Sequence, residues 1–307
     1  MTYVDFSWCD LITKIPNLSM TPNIEQLLIR GCKNLVEIDD SVGHLDKLKV
    51  WDLNNCVKLE TLPSCLTMKS LTFFSLMACE RIKKFPNILH EMEDIKQLYL
   101  PTNCTNELPP SFGNLIGLED LNISSNSGEA HLPGSIYNLQ HIEELRLNCD
   151  FIFPKNVEID RQPMCNSLGC SSKYVFPSLK RLHLFFLKIR SEIEFILNYC
   201  CPLTLEELHI FGSKVVTLPE SMSRFERLHK LFIECCDEFQ EIPSLPHSIR
   251  RVEVANCPSL DLQSIFQVYL SLKDIKKLFV LPSQILHDLL RCNLLNLLIA
   301  CSCFEKS

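Results

Sequence analysis

Apolar and polar positions along this chain follow one short sentence that is written again and again. Its clearest copy is Trp51 to Pro63, WDLNNCVKLETLP. Trp51 and Leu53 are apolar with a polar residue between them, the period-2 alternation of a strand. Cys56, Leu59 and Leu62 then recur every third residue, and Pro63 closes the unit. Aligned on the position of Trp51, the copies fall at Val4, Leu27, Trp51, Phe74, Leu98, Leu121, Leu145, Leu182, Leu208, Leu231 and Val252. The spacings are 23, 24, 23, 24, 23, 24, 37, 26, 23 and 21 residues. A second apolar anchor follows two residues after each first one, from Phe6 and Ile29 through to Ile233 and Val254.

This is the L-x-x-L-x-L-x-x-(N/C) pattern of a leucine-rich repeat. It predicts an α/β solenoid: a leucine-rich-repeat horseshoe with a parallel β-sheet on the concave face and short helices and loops on the convex face. Because solenoids grow without one closed core, the length does not imply two domains. Residues 1–149 hold about seven copies and 179–261 about four, ending at Leu260. Between them, 150–178 carries Pro, Ser and Gly without a clear period and reads as an irregular insertion. Convex segments such as LPPSFGNLIGLEDL, LPGSIYNLQHIEEL and LPESMSRFERLHKL place a serine two residues after Leu-Pro, where it could cap a short helix. The run SEIEFILNYCC predicts another helix. Ser191 and Glu194 have capping-box spacing, and Ile189, Ile193, Ile196, Leu197 and Cys200 share one face. The first copy has no polar cap before it, so the chain is expected to be a piece of a longer protein. The apolar C-terminal tail, 262–307, contains a run too short to span a bilayer and is expected to pack as a helix over the last repeat.

Composition narrows the function. The 307 residues are 46% hydrophobic and 22% charged, with a net charge of -7 and the two signs interspersed. That argues against a general nucleic-acid footprint. No basic region followed by an apolar run opens the chain, so no secretory signal is read there. Of the seventeen cysteines, Cys9, Cys32, Cys56, Cys79, Cys236 and Cys257 occupy one repeat position, with Asn103 and Asn126 in the same slot of other copies. A slot that takes Cys or Asn asks for a small group that hydrogen-bonds backbone where the chain leaves the strand. The thiols form a ladder rather than chosen pairs, which implies reduced cysteines and an intracellular protein, cytoplasmic or nuclear, with no membrane partner. No G-x-x-x-x-G-K-[ST], G-x-S-x-G or H-E-x-x-H is present, and Cys165 and Cys170 lack metal-ligand spacing. The expectation is a non-enzyme without cofactor or metal.

Surface is what remains. The residue between the two anchors faces outward from the sheet, as does the one after the second anchor. On that register His183, Phe185, His209, Phe211 and Phe232 are neighbours on one exposed face, and Tyr99 and Arg146 belong to the same outward column. Buried aromatics supply much of the energy at protein interfaces. The cluster is therefore either a partner surface or a patch covered by the insertion or the Ser191 helix.

The wording of the repeats also carries a family resemblance. C-x-x-L-x-x-L-P steps such as CVKLETLP and CDEFQEIP, together with LPPSFGNLIGLEDL, resemble the repeat region of plant intracellular immune receptors. These are nucleotide-binding leucine-rich-repeat receptors, and the match is to the class with a TIR domain, of the tobacco mosaic virus resistance protein type. The resemblance covers roughly residues 1–260. It implies a module that recognises pathogen effectors or guarded host proteins and restrains the receptor's nucleotide-binding domain. That domain and the TIR enzyme are not in this sequence, so neither nucleotide binding nor NAD hydrolysis carries over. Part of the pattern is shared with F-box repeat proteins, which leaves a free-standing scaffold or ubiquitin-ligase substrate receptor as the alternative.

Overall fold

The computed structural model describes residues 2–101, 108–154, 175–188, 190–261, 263–264 and 277–281. The chain divides into two compact units, Met1–Ser178 and Leu179–Ser307. Both are leucine-rich-repeat solenoid, built from stacked parallel strands.

In the first unit the sheet strands are β1 (Tyr3–Asp5), β3 (Gln26–Leu28), β5 (Val50–Asp52), β7 (Phe73–Ser75), β9 (Gln97–Tyr99), β10 (Asp120–His131) and β11 (Glu144–Ile152). They pair in that order, and every pair is parallel. The two-residue strands β2 (Lys14–Ile15) and β4 (Glu37–Ile38) pair on the other side of the coil, as do β6 (Cys65–Leu66) and β8 (Asn87–Ile88). In the second unit β12 (Arg181–Phe185), β13 (Glu207–Phe211), β14 (Lys230–Glu234), β15 (Arg251–Ala255) and β16 (Lys277–Leu281) pair consecutively and in parallel.

The register follows the hydrophobic pattern. Val4 faces Leu27, Leu27 faces Trp51, Trp51 faces Phe74, and Leu208 faces Leu231. Nearly all these anchors are fully buried, because each can hide its apolar surface only against the copies on either side. Trp51 stacks on Phe74 with ring centroids 4.5 Å apart. Such a pair contributes about 0.5–1.5 kcal/mol beyond its burial. The Trp51 indole N–H finds no hydrogen-bond partner among the described residues, a cost of about 1–3 kcal/mol for placing Trp in a leucine slot.

The Cys slot behaves as its chemistry requires. The thiol of Cys32 donates to the carbonyl of Phe6 at 3.0 Å, that of Cys56 to Ile29 at 2.9 Å, and that of Cys79 to Leu53 at 3.0 Å. Each acceptor is the second anchor of the preceding copy. Cys9 holds the slot of the first copy and is exposed.

One place before that slot the backbone turns left-handed. Trp8, Gly31, Asn55, Ala78, Phe186, Gly212, Cys235 and Asn256 all have φ between 54° and 65°. Each stands four residues after its first anchor. Two of these turns interlock. The ring of Trp8 lies over Gly31 and that of Phe186 over Gly212, where an added Cβ would sit 2.3 Å and 2.6 Å from ring carbons.

Several expectations need correction. The repeat does not end at Leu260. Leu278 and Val280 pair with Val252 and Val254 as a further copy. The start of the insertion is not loop either. Asp150–Ile152 belongs to β11, and Phe151, Phe153 and Phe176 are buried. Residues 155–174 of that insertion and 282–307 of the tail lie outside the described residues. The convex turns are 3-10 helices, Asp40–His44, Pro110–Asn114, Gly134–Asn138 and Glu220–Arg224. Their serines do not cap them. Pro109, Pro133 and Pro219 hold the cap positions of the last three; Ser221 Oγ donates to Asn198 of the preceding coil at 2.6 Å, while Ser135 Oγ is buried without a hydrogen-bond partner among the described residues. Ser41 Oγ accepts from Leu18 N at 2.8 Å and Ser111 Oγ from Ile88 N at 3.0 Å. The helix α1 (Arg190–Phe195) begins before Ser191, which therefore lies inside its first turn and does not cap it. It continues as a π turn over Ile196–Cys200. Ile193, Ile196, Leu197 and Cys200 are buried as expected, while Ile189 lies outside the described residues. Among the described residues no helix is long and apolar enough to cross a membrane.

The left-handed slot makes a stability prediction. Ala78 holds φ 59°, where a side chain costs roughly 1–2 kcal/mol against glycine. Glycine returns about 0.4–1 kcal/mol of that as unfolded-chain entropy. Ala78→Gly is expected to raise stability by about 0.5–1 kcal/mol in urea unfolding. A fall in the unfolding midpoint would contradict the role given to this turn.

Candidate functional site

In a strand, alternate residues leave the core, so the outward columns follow from the register of the anchors. The two units present different chemistry there.

On the second unit, parallel pairing sets His183 beside His209, Phe185 beside Phe211, and His209 beside Phe232. The rings touch. Centroids are 5.7 Å apart for His183 and His209, 5.6 Å for Phe185 and His209, 6.2 Å for Phe185 and Phe211, and 5.6 Å for His209 and Phe232. All five residues are half-buried, so the row keeps solvent-facing surface. Charged groups frame it. Arg251 lies 5.2 Å from the centroid of Phe232, Glu234 Oε1 stands 3.4 Å from His209 Nε2, and Lys230 Nζ pairs with Glu207 at 2.6 Å. Edge-to-face and offset aromatic pairs hold each ring in place before any partner arrives.

Phe186 joins this row and was not singled out by the pattern. It is 47% exposed and meets Phe211 edge-on at 5.3 Å. The signal was its place in the left-handed slot, where a bulky residue is uncommon and marks either strain or function.

Tyr99 and Arg146 do not belong to that row. They lie on the first unit, in a polar network. The Tyr99 hydroxyl donates to Asp120 Oδ2 at 2.8 Å, and Arg146 Nη1 donates to Asp120 Oδ1 at 2.6 Å. Arg146 Nη2 also donates to Glu144. Further along the same face Arg30 Nε donates to Asp52 Oδ2 at 2.5 Å, and Ser75 Oγ donates to Asn54 Oδ1. Leu28, Asp52 and Ser75 were expected to face solvent and are buried. Their outward direction holds, but Arg30 bonds to Asp52 and Asn54 to Ser75 from neighbouring copies.

Burial sets the ionisation of this network. It pushes the Asp120 carboxyl above its ordinary value, against the opposing pull of the Tyr99 hydroxyl and Arg146. Burial and the bond to Asp120 push the Tyr99 phenol up to about 12, so it stays a donor at neutral pH.

Comparison with known proteins now decides the family. Residues 67–283 match the family model described as "Disease resistance protein RPS4B-like, leucine-rich repeats". The chain belongs to this family. Among relatives of these disease-resistance repeats, the protein SUPPRESSOR OF npr1-1, CONSTITUTIVE 1 of Arabidopsis thaliana is 27% identical over 80% of this chain and 14% of its own length. TMV resistance protein N of Nicotiana glutinosa is 24% identical over 82% of this chain and 25% of its own length. The disease-resistance chain thus spans a quarter or less of these two relatives. A crystal structure of a TLR13–ssRNA13 complex is 16% identical, covers 91% of this chain and 42% of that one, and superposes with a TM-score of 0.53. That likeness shows the repeat fold alone.

The network on the first unit predicts a titration. The folded Asp120 midpoint lies above the unfolded one, so this carboxyl adds stability at acid pH that is lost as pH rises through the folded midpoint. Arg146→Met removes a group that holds the midpoint down, and carbon-13 NMR titration should show the Asp120 midpoint moving further up. A midpoint that falls would contradict the assignment.

Proposed function

We propose that this chain is a non-enzymatic recognition module of a plant intracellular immune receptor. It senses a pathogen effector or a guarded host protein through the sheet face of its second unit. In a full-length receptor it also contacts the nucleotide-binding domain, in the cytoplasm or nucleus. The observation that carries this is the row of His183, Phe185, His209, Phe211 and Phe232, pre-packed and still accessible. Membership of the disease-resistance repeat family supports the immune setting. Tyr99 and Arg146 contribute to a second, polar contact on the first unit.

The aromatic row is a test as well as a reading. Truncating an interface aromatic costs about 2 kcal/mol or more, roughly thirtyfold in affinity. Phe211→Ala combined with Phe232→Ala should therefore abolish partner capture in a pull-down. Both side chains point away from the anchors, so cooperative unfolding by circular dichroism should be retained. Capture unchanged in the double variant would sink the proposal, and loss of cooperative unfolding would place the two rings in the core.

A further inference from the structure

On the side of the coil away from the sheet, three residues from neighbouring copies converge. Cys65 Sγ lies 4.0 Å from His44 Nε2, and His44 Nδ1 lies 3.0 Å from Thr67 Oγ1. Thr67 Oγ1 also donates to the carbonyl of Gly43 at 3.4 Å. That last bond orients the others. With its proton committed to Gly43, the threonine oxygen accepts from His44 Nδ1–H. The Nε2 lone pair is then left facing the thiol.

The backbone holds this arrangement firmly. Ser64 N donates to Asp40 Oδ1 at 2.7 Å and Thr67 N donates to Gly43 O at 2.9 Å, so the strand carrying Cys65 is tied to the His44 turn at both ends. The two chains approach so closely that a Cβ on Gly43 would sit 2.2 Å from the Cys65 carbonyl oxygen. The side chains are accessible, with Cys65 half-buried and His44 exposed. A nucleophile, a base within reach and a third group orienting the base are the parts of an activated thiol.

We propose that Cys65 is a site of oxidative modification by hydroperoxides, with His44 as its base and Thr67 as the residue that positions the base. The thiol proton passes to His44 Nε2 as the sulfur attacks one peroxide oxygen. The O–O bond breaks, and the leaving group, hydroxide from hydrogen peroxide or alkoxide from an organic hydroperoxide, takes the proton from the imidazolium and departs as water or alcohol. Sulfur loses two electrons and becomes a sulfenic acid, while the peroxide is reduced. The other described cysteines differ. Cys32, Cys56, Cys79, Cys200, Cys201, Cys236 and Cys257 are buried, Cys235 is half-buried like Cys65 but meets the amide of Asn256 at 3.7 Å, and Cys9 is more exposed than Cys65. Exposure alone would therefore make Cys9 the faster thiol.

The test uses the full chain, brief exposure to hydrogen peroxide, trapping of sulfenic acid with dimedone and peptide-resolved mass spectrometry. Cys65 should label about tenfold faster than Cys9, a gain below the usual range for general-base help because the contact is long. His44→Gln should bring Cys65 to the rate of Cys9 or below. Thr67→Val, which keeps the imidazole but releases its orientation, should lower the rate part-way. Circular dichroism checks that each variant folds. Equal labelling of Cys9 and Cys65 in the native chain, or no change on His44→Gln, overturns the proposal.

Discussion

In the regular copies the carbonyl of the second anchor accepts two hydrogen bonds, and the turn off the sheet is built around it. The Leu53 oxygen takes the backbone N–H of Cys56 at 3.2 Å and the thiol of Cys79 at 3.0 Å. Phe6 does the same with Cys9 and Cys32. One donor comes from the same copy and one from the next, so each turn is closed only when its neighbour is in place. The left-handed residue completes the arrangement. Its N–H donates forward to the next copy, as Gly31 does to Asn54 at 2.7 Å and Phe186 to Phe211 at 2.7 Å. Buried backbone groups must find partners. This geometry satisfies them by binding consecutive copies together, which is why the period is held to 23 or 24 residues through the first seven copies.

That constraint leaves the outward columns free. The anchors, the cysteine and the left-handed slot fix the coil, while the alternate strand residues stand outside the core. One unit can therefore carry Asp52, Ser75, Asp120 and Arg146 on its face and the other His183, Phe211 and Phe232 with no change of fold. A surface whose chemistry is independent of its core can change by substitution without unfolding the module.

The same separation explains what could be read from the sequence. Anchors announce themselves because burial demands one residue class at a fixed period, and the described copies pair in the register that this period predicts. The aromatic row was legible because its members stand at fixed offsets from those anchors. Other features depend on distances between copies that no offset encodes. Asp52 and Ser75 are buried, and Arg30 and Asn54 bond to them from neighbouring copies. Ser111 and Ser221, which have cap spacing, turn instead to the preceding coil, since the proline before them already sets the turn. The copy at Leu278 escaped notice because it has neither Cys nor Asn in the slot and sits in an apolar run. Cys65 and His44 are 21 residues apart, and only the close approach at Gly43 brings them together.

Ring packing, more than strand length, separates the two faces further. The strands β1, β3, β5, β7 and β9 of the first unit are three residues long, yet their second outward column is also tied, since Trp8 N donates to Arg30 O at 2.7 Å and Asn55 N to Met77 O at 2.8 Å. Strands β12 to β15 are five residues long and keep both columns in the ladder, including Phe185, Phe211 and Glu234. A side chain whose backbone is pinned on both flanks, and whose ring is packed against its neighbours, has little conformational freedom left to lose on binding. Ordering a side chain at an interface otherwise costs about 0.5–1.5 kcal/mol. Sites on strands are also more precise than sites on loops. The aromatic row therefore stands on a backbone that is already fixed, and its packed rings have little freedom left to lose if a partner binds there.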